Sequence, residues 1–401
     1  MSAWYPEADL VVVHPKIYTV AITCNEIIEG KRDFPIIEDG GVAVKDGKFI
    51  AVGSALQMNQ YIGEHTQVID GTGKIVTPGF VESHMHCTWT GNNLRNIDFR
   101  PITERNEAMR LIKEYADKTP NGEWIQGNSW NELVWDNPKP LTLAELDELC
   151  PDNPLFCMRT CFHTAMVNSK ALEAAGITAA TSDPEGGTIG KTDDGELSGY
   201  LYENSAMDLV QSAIPPLTAE QRIESIEAVG KYLNSLGITS AIDANLLFDQ
   251  MRTYLEAKKQ GRLSYRANLM FYLDSAYGDK ETHLRRLEEM DCVTGFGDDM
   301  LKLNGVKVTL DGIPATYTAL MREGYKTRPD YCGSSVWTQE EITAFVCKAQ
   351  ELGWQFGIHT IGDAAEDMAL NAFEEARKIS DTKPRHHYLI HYQFPHEDQW
   401  P

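Results

Sequence analysis

The sequence predicts an α/β protein in which parallel strand–helix units follow a small all-β region, and three observations lead there. Residues 1–75 hold only short β-rich runs: Leu10-Val11-Val12-Val13, Val42-Ala43-Val44 and Phe49-Ile50-Ala51-Val52. Asp46-Gly47 is a hairpin signal between the last two. Beyond residue 75 a phrase of capped helix, glycine and apolar strand occurs twice. Thr218 with Gln221 opens a helix through Ile223, Ile226, Val229 and Leu233 that Gly237 ends, and Thr338 with Glu341 opens one through Ile342, Phe345 and Val346 that Gly353 ends. Several of the apolar strands also carry histidine or lysine at their C-terminal ends, where a parallel barrel builds its site. The pattern is that of a TIM-type (β/α)8 barrel behind sandwich strands.

In chain order, residues 1–75 are expected to form the N-terminal part of a β-sandwich, and residues 76–114 the start of the barrel, entered through Ile75–Val81. Residues 115–215 break the rhythm, since Trp124–Gly127, Leu155–Phe162 and the glycine-rich Glu185–Gly190 stretch fit no single strand–helix unit, and are read as an inserted α+β subdomain. From 216 to 401 the barrel resumes through Ile238–Ile242, Tyr265–Tyr272, Leu301–Val308, Trp354–Ile361 and Tyr388–Phe394, ending after its sixth strand.

Composition narrows the function classes. With 36 Lys+Arg against 59 Asp+Glu, the net charge of -23 argues against nucleic acid or an anionic membrane as partner. A small-molecule substrate is expected, and a homodimer is compatible with the sequence. The eight cysteines form no C-x-x-C pair, so a disulfide scaffold and a zinc ribbon are not indicated, and Cys157 and Cys161 are expected to be buried free thiols. Glu7 and Asp9 stand where a secretory leader would be basic, and no apolar run reaches the ~20 residues of a membrane span. The expected compartment is the reducing cytoplasm.

The chemistry concentrates in four histidines and a lysine. Pro78-Gly79-Phe80-Val81-Glu82-Ser83-His84-Met85-His86 runs an apolar strand into two imidazoles at i, i+2, which share one face of a strand. His359 ends Trp354–His359 and His391 ends Tyr388–His391. Any one of these could be a hydrogen-bonded core histidine; four repeating one geometry on three strands favour a metal site. His387 and His391 also read as H-x-x-x-H, but Tyr388 stands where a zincin needs its glutamate and Pro395 follows too soon for a helix. His14, His65, His283 and His396 are expected at the surface. Lys307 lies in the run Leu301–Val308, on the side opened by Gly305, and must there be neutralised, paired or modified unless its ammonium snorkels out.

These segments resemble the amidohydrolase superfamily, within it the subgroup of N-substituted formamide deformylase and related metal-dependent hydrolases. Val44–Gly53 and Val68–Lys74 are similar to its N-terminal sandwich, Pro78–His86 to its first barrel strand, and Phe162–Leu172 and Gly195–Gly199 to its insertion. Lys307–Gly312, His359–Ala365 and Arg385–His391 are similar to its fourth, fifth and sixth strand motifs. The resemblance implies two divalent ions, zinc being expected. His84 and His86 would hold one and His359 and His391 the other, with Lys307 bridging them as a carbamate made from the neutral amine and carbon dioxide. A water between the ions, acidified toward hydroxide, would attack a carbonyl, and an amine would leave.

Two departures from the family pattern stand out. Glu82 replaces the usual Asp, a residue expected to orient a ligand rather than bind metal. The Asp that closes the family's eighth strand, and shuttles the proton, has no counterpart among six strands, so no catalytic residue is assigned. The expectation is that the sequence is a portion of a longer polypeptide, because six strands alone would leave an open barrel with two unpaired edges. Asp363 is expected to cap the helix after strand five rather than to replace that Asp. Trp89, Trp130, His163 and Glu203 are candidates for the substrate pocket's lining. The expected reaction is hydrolysis of a non-peptide C–N bond in a small amide, formamide or cyclic amide. A non-catalytic scaffold of the same fold, and a one-metal deaminase with an unmodified Lys307, are the alternatives.

Overall fold

The computed structural model describes residues 5–23, 26–27, 29–161, 163–248, 250–379 and 385–399. Phe162, within two of the segments quoted above, lies outside them, as does Cys24. The chain divides into two compact units, Met1–Phe80 and Val81–Pro401.

In the first unit, strands β1 (Leu10–Val13), β4 (Gly40–Lys45), β5 (Lys48–Ser54) and β6 (Gln67–Asp70) form a sheet in the order β5-β4-β1-β6. A second sheet joins β2 (Lys16–Tyr18), β3 (Ile36–Ile37) and β7 (Ile75–Val76). The β4–β5 hairpin turns on Asp46 (φ 50°) and Gly47 (φ 71°), both left-handed as a tight hairpin of matching twist requires. Val11, Ala43 and Met58 bury a small core between the four-stranded sheet and a one-turn helix, α1 (Ala55–Met58).

The second unit is built on a six-stranded sheet. Its strands are β8 (Phe80–Met85), β15 (Ile238–Leu246), β16 (Arg266–Tyr272), β17 (Leu301–Thr309), β18 (Phe356–Thr360) and β19 (Tyr388–His391), in the order β19-β18-β17-β16-β15-β8. From β15 to β19 every neighbouring pair is parallel. Helices α7 (Ala219–Ser235), α10 (Gln339–Leu352) and α11 (Asp363–Arg377) bury Ile226, Val229, Phe345, Val346 and Ala369 into one core with Leu269, Val306 and Ile358 of the strands. Both expected capping boxes are present, Thr218 with Gln221 and Thr338 with Glu341. The sheet is curled into an α/β barrel that is nearly closed: the ring of His84, on one edge strand, is 5.4 Å from that of His391, on the other.

Between β8 and β15 stands a second six-stranded sheet, in the order β13-β14-β12-β11-β10-β9. Its members are β9 (Ile97–Asp98), β10 (Ile125–Trp130), β11 (Leu155–Arg159), β12 (Thr164–Val167), β13 (Thr188–Lys191) and β14 (Leu197–Tyr202). Helices α2 (Cys87–Arg95) and α3 (Arg105–Lys118) precede its main body, α4 (Leu143–Leu149) and α5 (Ser169–Ala174) lie within it, and α6 (Glu203–Gln211) leads out. This sheet reaches back to Ile97, ahead of residue 115, because a two-residue strand has no periodicity to read in sequence.

Several expectations are corrected. The run Ile75–Val81 is two strands, broken at Pro78, which has no amide to give a ladder. His283 is fully buried rather than exposed: its Nε2 lies 3.0 Å from the Asp274 carbonyl and its ring packs edge-on against Trp337 and Phe345. It sits in α9 (Lys280–Glu289), whose polar sequence hid its inward face. Cys157 is a buried thiol as expected but Cys161 is exposed. Asp363 is the first residue of α11 rather than its cap, a place Gly362 takes. No helix of the described residues is long and apolar enough to cross a membrane.

Candidate metal centre

The parallel register delivers the four histidines and the lysine to one end of the curled sheet. Within it, Lys307 lies opposite Tyr272 on one side and Gly357 on the other, Thr309 opposite His359, and Thr360 opposite His391. His84 is the fifth residue of β8, and His86 is the residue from which α2 starts. The rings of His84 and His86 are 5.5 Å apart, those of His84 and His391 5.4 Å, and those of His359 and His391 4.6 Å. At His391 the backbone turns left-handed (φ 75°), and it stays so at Tyr392 (φ 46°). Non-glycine residues hold this conformation at a cost of about 1–3 kcal/mol, and such strain gathers at functional sites.

Burial sets the charge state. It pushes His84 down to about 3 and His359 to about 4, with Lys307 and the neighbouring imidazoles adding repulsion, and it lowers His86 and His391 as well. All four rings are therefore neutral at pH 7, the form that has a lone pair to give. Lys307 is 2% exposed, its Nζ lies 5.7 Å from the centre of the Tyr272 ring, and burial lowers it to about 8 against an opposing pull from Asp243. Gly305 does not open a path for it: a Cβ there would meet the Gln355 carbonyl at 2.4 Å, so this glycine permits close approach of backbone instead.

Two ring nitrogens, Nδ1 of His84 and Nε2 of His359, are buried with no hydrogen-bond partner among the described residues. Seven other buried polar atoms of the described residues are unpartnered as well, so it is the place of these two, beside the other imidazoles and Lys307, that points to a partner of another kind. Neutral nitrogens beside an amine close to its neutral form are the donors a divalent cation takes, and the residues fit such a group. Among the described residues no three His, Cys, Asp or Glu side chains make a ready ligand set on their own. Two imidazoles per ion with a lysine between them would not make one either.

Carboxylates support this end of the sheet. Glu82 accepts a hydrogen bond from the His84 amide (3.1 Å). Asp243 and Asp311 are buried and bond to the turns that follow His86 and His359. Both went unassigned in the sequence. A lone aspartate inside the apolar strand Ile238–Leu246 was the available signal for the first; the second stood within a motif quoted only for its lysine.

Among the described residues the four candidate pocket residues make no ring contact or hydrogen bond with the imidazoles. Trp89 is 65% exposed on α2. Trp130 is a core residue of the second sheet, 2% exposed, its Nε1 donating to the Cys157 carbonyl (3.1 Å) and its ring flanked by Arg159. His163 and Glu203 form an exposed hydrogen-bonded pair (Nδ1 to Oε2, 2.8 Å), with Glu203 in a left-handed backbone (φ 66°). His387, of the rejected H-x-x-x-H reading, accepts from the Phe356 amide (3.0 Å) and pairs with Gln350 (2.9 Å). A cleft of about 670 Å³ between α2, the end of α3 and the start of α7 is lined by Arg95, Tyr115, Trp124 and Glu224, and holds none of the candidate ligands.

A model of the amidohydrolase family matches residues 67–400. Protein LONG AFTER FAR-RED 3 of Arabidopsis thaliana is 30% identical over 397 residues, which are 96% of this chain and 64% of that protein. Putative amidohydrolase YtcJ of Bacillus subtilis (strain 168) is 31% identical over 370 residues, 90% of this chain and 67% of the relative. N-substituted formamide deformylase of Arthrobacter pascens is 26% identical over 347 residues, 85% and 63%. The chain spans about two thirds of the length of these curated relatives. Among solved structures, an uncharacterized metal-dependent hydrolase from Pyrococcus furiosus superposes with a TM-score of 0.71 at 26% identity, covering 97% of this chain and 74% of that one.

Proposed function

The chain belongs to the amidohydrolase family, and from that premise we propose that it serves a metal-dependent hydrolase that cleaves a non-peptide C–N bond in a small amide, formamide or cyclic amide. The observation that carries this reading is the meeting of four neutral imidazoles and a buried lysine at one end of the barrel, two of the ring nitrogens lacking a hydrogen-bond partner among the described residues. His84 and His86 would hold one divalent ion and His359 and His391 a second, zinc by the preference of imidazole donors. When bound, such ions supply an acidified water and a polarised carbonyl, the two requirements of hydrolysis at neutral pH.

The chain's own residues prepare that chemistry. Burial keeps the imidazoles neutral, so no proton has to leave before they bind. The same burial leaves about a tenth of Lys307 as free amine at pH 7. That amine can add to carbon dioxide, forming an N–C bond and releasing one proton. The carbamate replaces a buried cation by an anion that balances the ions' charge. Glu82 holds the His84 amide and so fixes the strand from which the first imidazole projects. The relative named for formamide deformylation supports the substrate class, and a small-molecule substrate suits the chain's acidic balance.

The test is a full-length protein loaded with zinc and assayed against N-formyl and N-acyl amines, beside metal analysis of the same preparation. Bound divalent metal with turnover of at least one formamide or amide is the expected result. A protein with no affinity for zinc, manganese or iron overturns the metal reading. One that binds metal without turning over any member of the panel overturns the substrate class.

A further inference from the structure

Two helices of the barrel begin directly after a candidate ligand, and neither is capped by its own N-cap side chain. Helix α2 starts from His86 and α11 from Gly362, three residues past His359, and no side-chain hydrogen bond caps either. Helices α4, α5, α7, α9 and α10 begin on a Thr, Asn or Asp that bonds its own first turn. Helices α3, α6 and α8 (Met251–Lys259) also lack such a cap, but none of them starts beside a candidate ligand. The free amides that open a helix still need acceptors. At α2 a buried carboxylate from the adjoining strand supplies the first two amides, those of Cys87 and Thr88. At α11 one from just past β17 takes the N-cap amide of Gly362 and that of Ile361 before it, while the Ala364 and Ala365 amides go to the Leu320 carbonyl.

Asp243 of β15 is 1% exposed. Its Oδ1 accepts from the amides of Cys87 (3.2 Å) and Asn245 (3.3 Å). Its Oδ2 accepts from the Thr88 amide (3.3 Å), the Thr88 hydroxyl (3.0 Å) and the Tyr254 hydroxyl (2.6 Å). Asp311, two residues beyond β17, is fully buried, and its Oδ1 accepts from the Ile361 amide (2.9 Å) while Oδ2 accepts from those of Gly362 (2.8 Å) and Leu320 (2.9 Å). A buried carboxylate is costly unless its lone pairs are filled, and here they are filled by the chain immediately past one imidazole of each pair.

We propose that Asp243 and Asp311 are positioning residues of the metal centre, tying the turn after His86 to β15 and the turn after His359 to the end of β17, so that one imidazole of each pair is fixed to the sheet that carries Lys307. This rests on the metal reading above. A cap made within the helix would stabilise the helix equally well but would leave the turn free to shift against the sheet. A clamp from the adjoining strand locks the ligand's backbone to the strand array, and small displacements of a ligand are what metal affinity is sensitive to.

The test uses cobalt(II) with the full-length protein, its affinity measured by chelator competition and its ligand field read from the visible spectrum, each variant first shown by circular dichroism to be folded. D243N and D311N each turn one acceptor oxygen into an amide donor that faces other donors. Each is expected to weaken cobalt binding by about tenfold or more and to change the cobalt spectrum. E132Q, which alters a nearly buried carboxylate paired with Arg159 in the second sheet, is expected to leave both unchanged. Where an aspartate variant does not fold, Y254F removes the shortest donor to Asp243 while keeping the carboxylate, and a smaller loss of about threefold is expected. Wild-type affinity and spectrum in every folded variant would overturn the proposal and leave the metal reading intact. A wild-type protein that binds no cobalt overturns both.

Discussion

Histidines at the barrel's strand ends and His163, just before β12 of the second sheet, share a side chain but not an environment. At the barrel, four rings follow one another as His86, His84, His391 and His359 with neighbours 4.6–5.5 Å apart, burial keeps them neutral, and two nitrogens have no hydrogen-bond partner among the described residues. His163 is exposed and already satisfied by Glu203. Unpartnered buried nitrogens gathered beside other imidazoles and a buried lysine are a demand that a bound cation would meet. An exposed hydrogen-bonded pair makes no such demand and contributes about 0–1 kcal/mol to stability.

The largest expected effect tests the barrel side of this contrast. K307M should lower turnover of the full-length enzyme by about a thousandfold, the several kcal/mol that a correctly held metal contributes at ~1.4 kcal/mol per factor of ten. Its fold should be retained, since an alkyl chain suits a site that is 2% exposed. Steady-state kinetics beside a thermal melt separates the two. W130A tests the other side. It should cost about 3–5 kcal/mol of stability, as truncation of a buried aromatic does, while cobalt affinity measured below the melting transition stays unchanged. A loss of metal there would show that the second sheet does reach the centre.

Metal-free protein should show the barrel's burial in its pH dependence. Lys307 titrates near 8 in the fold and near 10.5 unfolded, so between those values the unfolded chain binds the extra proton and stability rises with pH, by up to about 3 kcal/mol. His84, near 3 in the fold against 6.5, adds a rise between pH 3 and 6.5 by the same sign. Urea denaturation of wild type and K307M across pH 7–11 should show the upper rise only in the wild type. A smaller effect is expected at Glu366 of α11, which is buried with no hydrogen-bond partner among the described residues. The Phe394 amide donates instead to the Ile361 carbonyl (3.2 Å). Burial raises this carboxyl to about 7, a penalty present above its unfolded value and relieved as pH falls through 7 toward 4.5. E366Q should therefore stabilise the protein by about 1–2 kcal/mol at pH 8 and have little effect at pH 4. H163A should be the mildest, with less than about 1 kcal/mol lost and turnover within a few-fold of wild type. A hundredfold loss of turnover would instead place the pair at the substrate and erase the contrast.

Much of the site was legible in sequence because its signals are local. H-x-H on a strand, a lysine inside an apolar run and the Thr-x-x-Glu or Thr-x-x-Gln caps all lie within a few residues, and the structure has the strands, the boxes and the clustering. What escaped depends on distant partners. Asp243 binds Cys87 and Thr88 across more than 150 positions, and no local pattern announces that. His283 looked exposed because its helix is polar, and only the packing of Trp337 and Phe345 over it reveals the inward face. Trp130, a candidate for the pocket's lining, is a core residue of the second sheet, because the residues that cover it come from elsewhere in the chain.

The most direct test of the account is anomalous diffraction at the zinc edge from crystals of the full-length protein grown with zinc. The account predicts density among the imidazoles of His84, His86, His359 and His391, with continuous electron density extending Lys307 as a carbamate. Zinc bound elsewhere, or a bare Lys307 amine beside four rings that coordinate nothing, would contradict it.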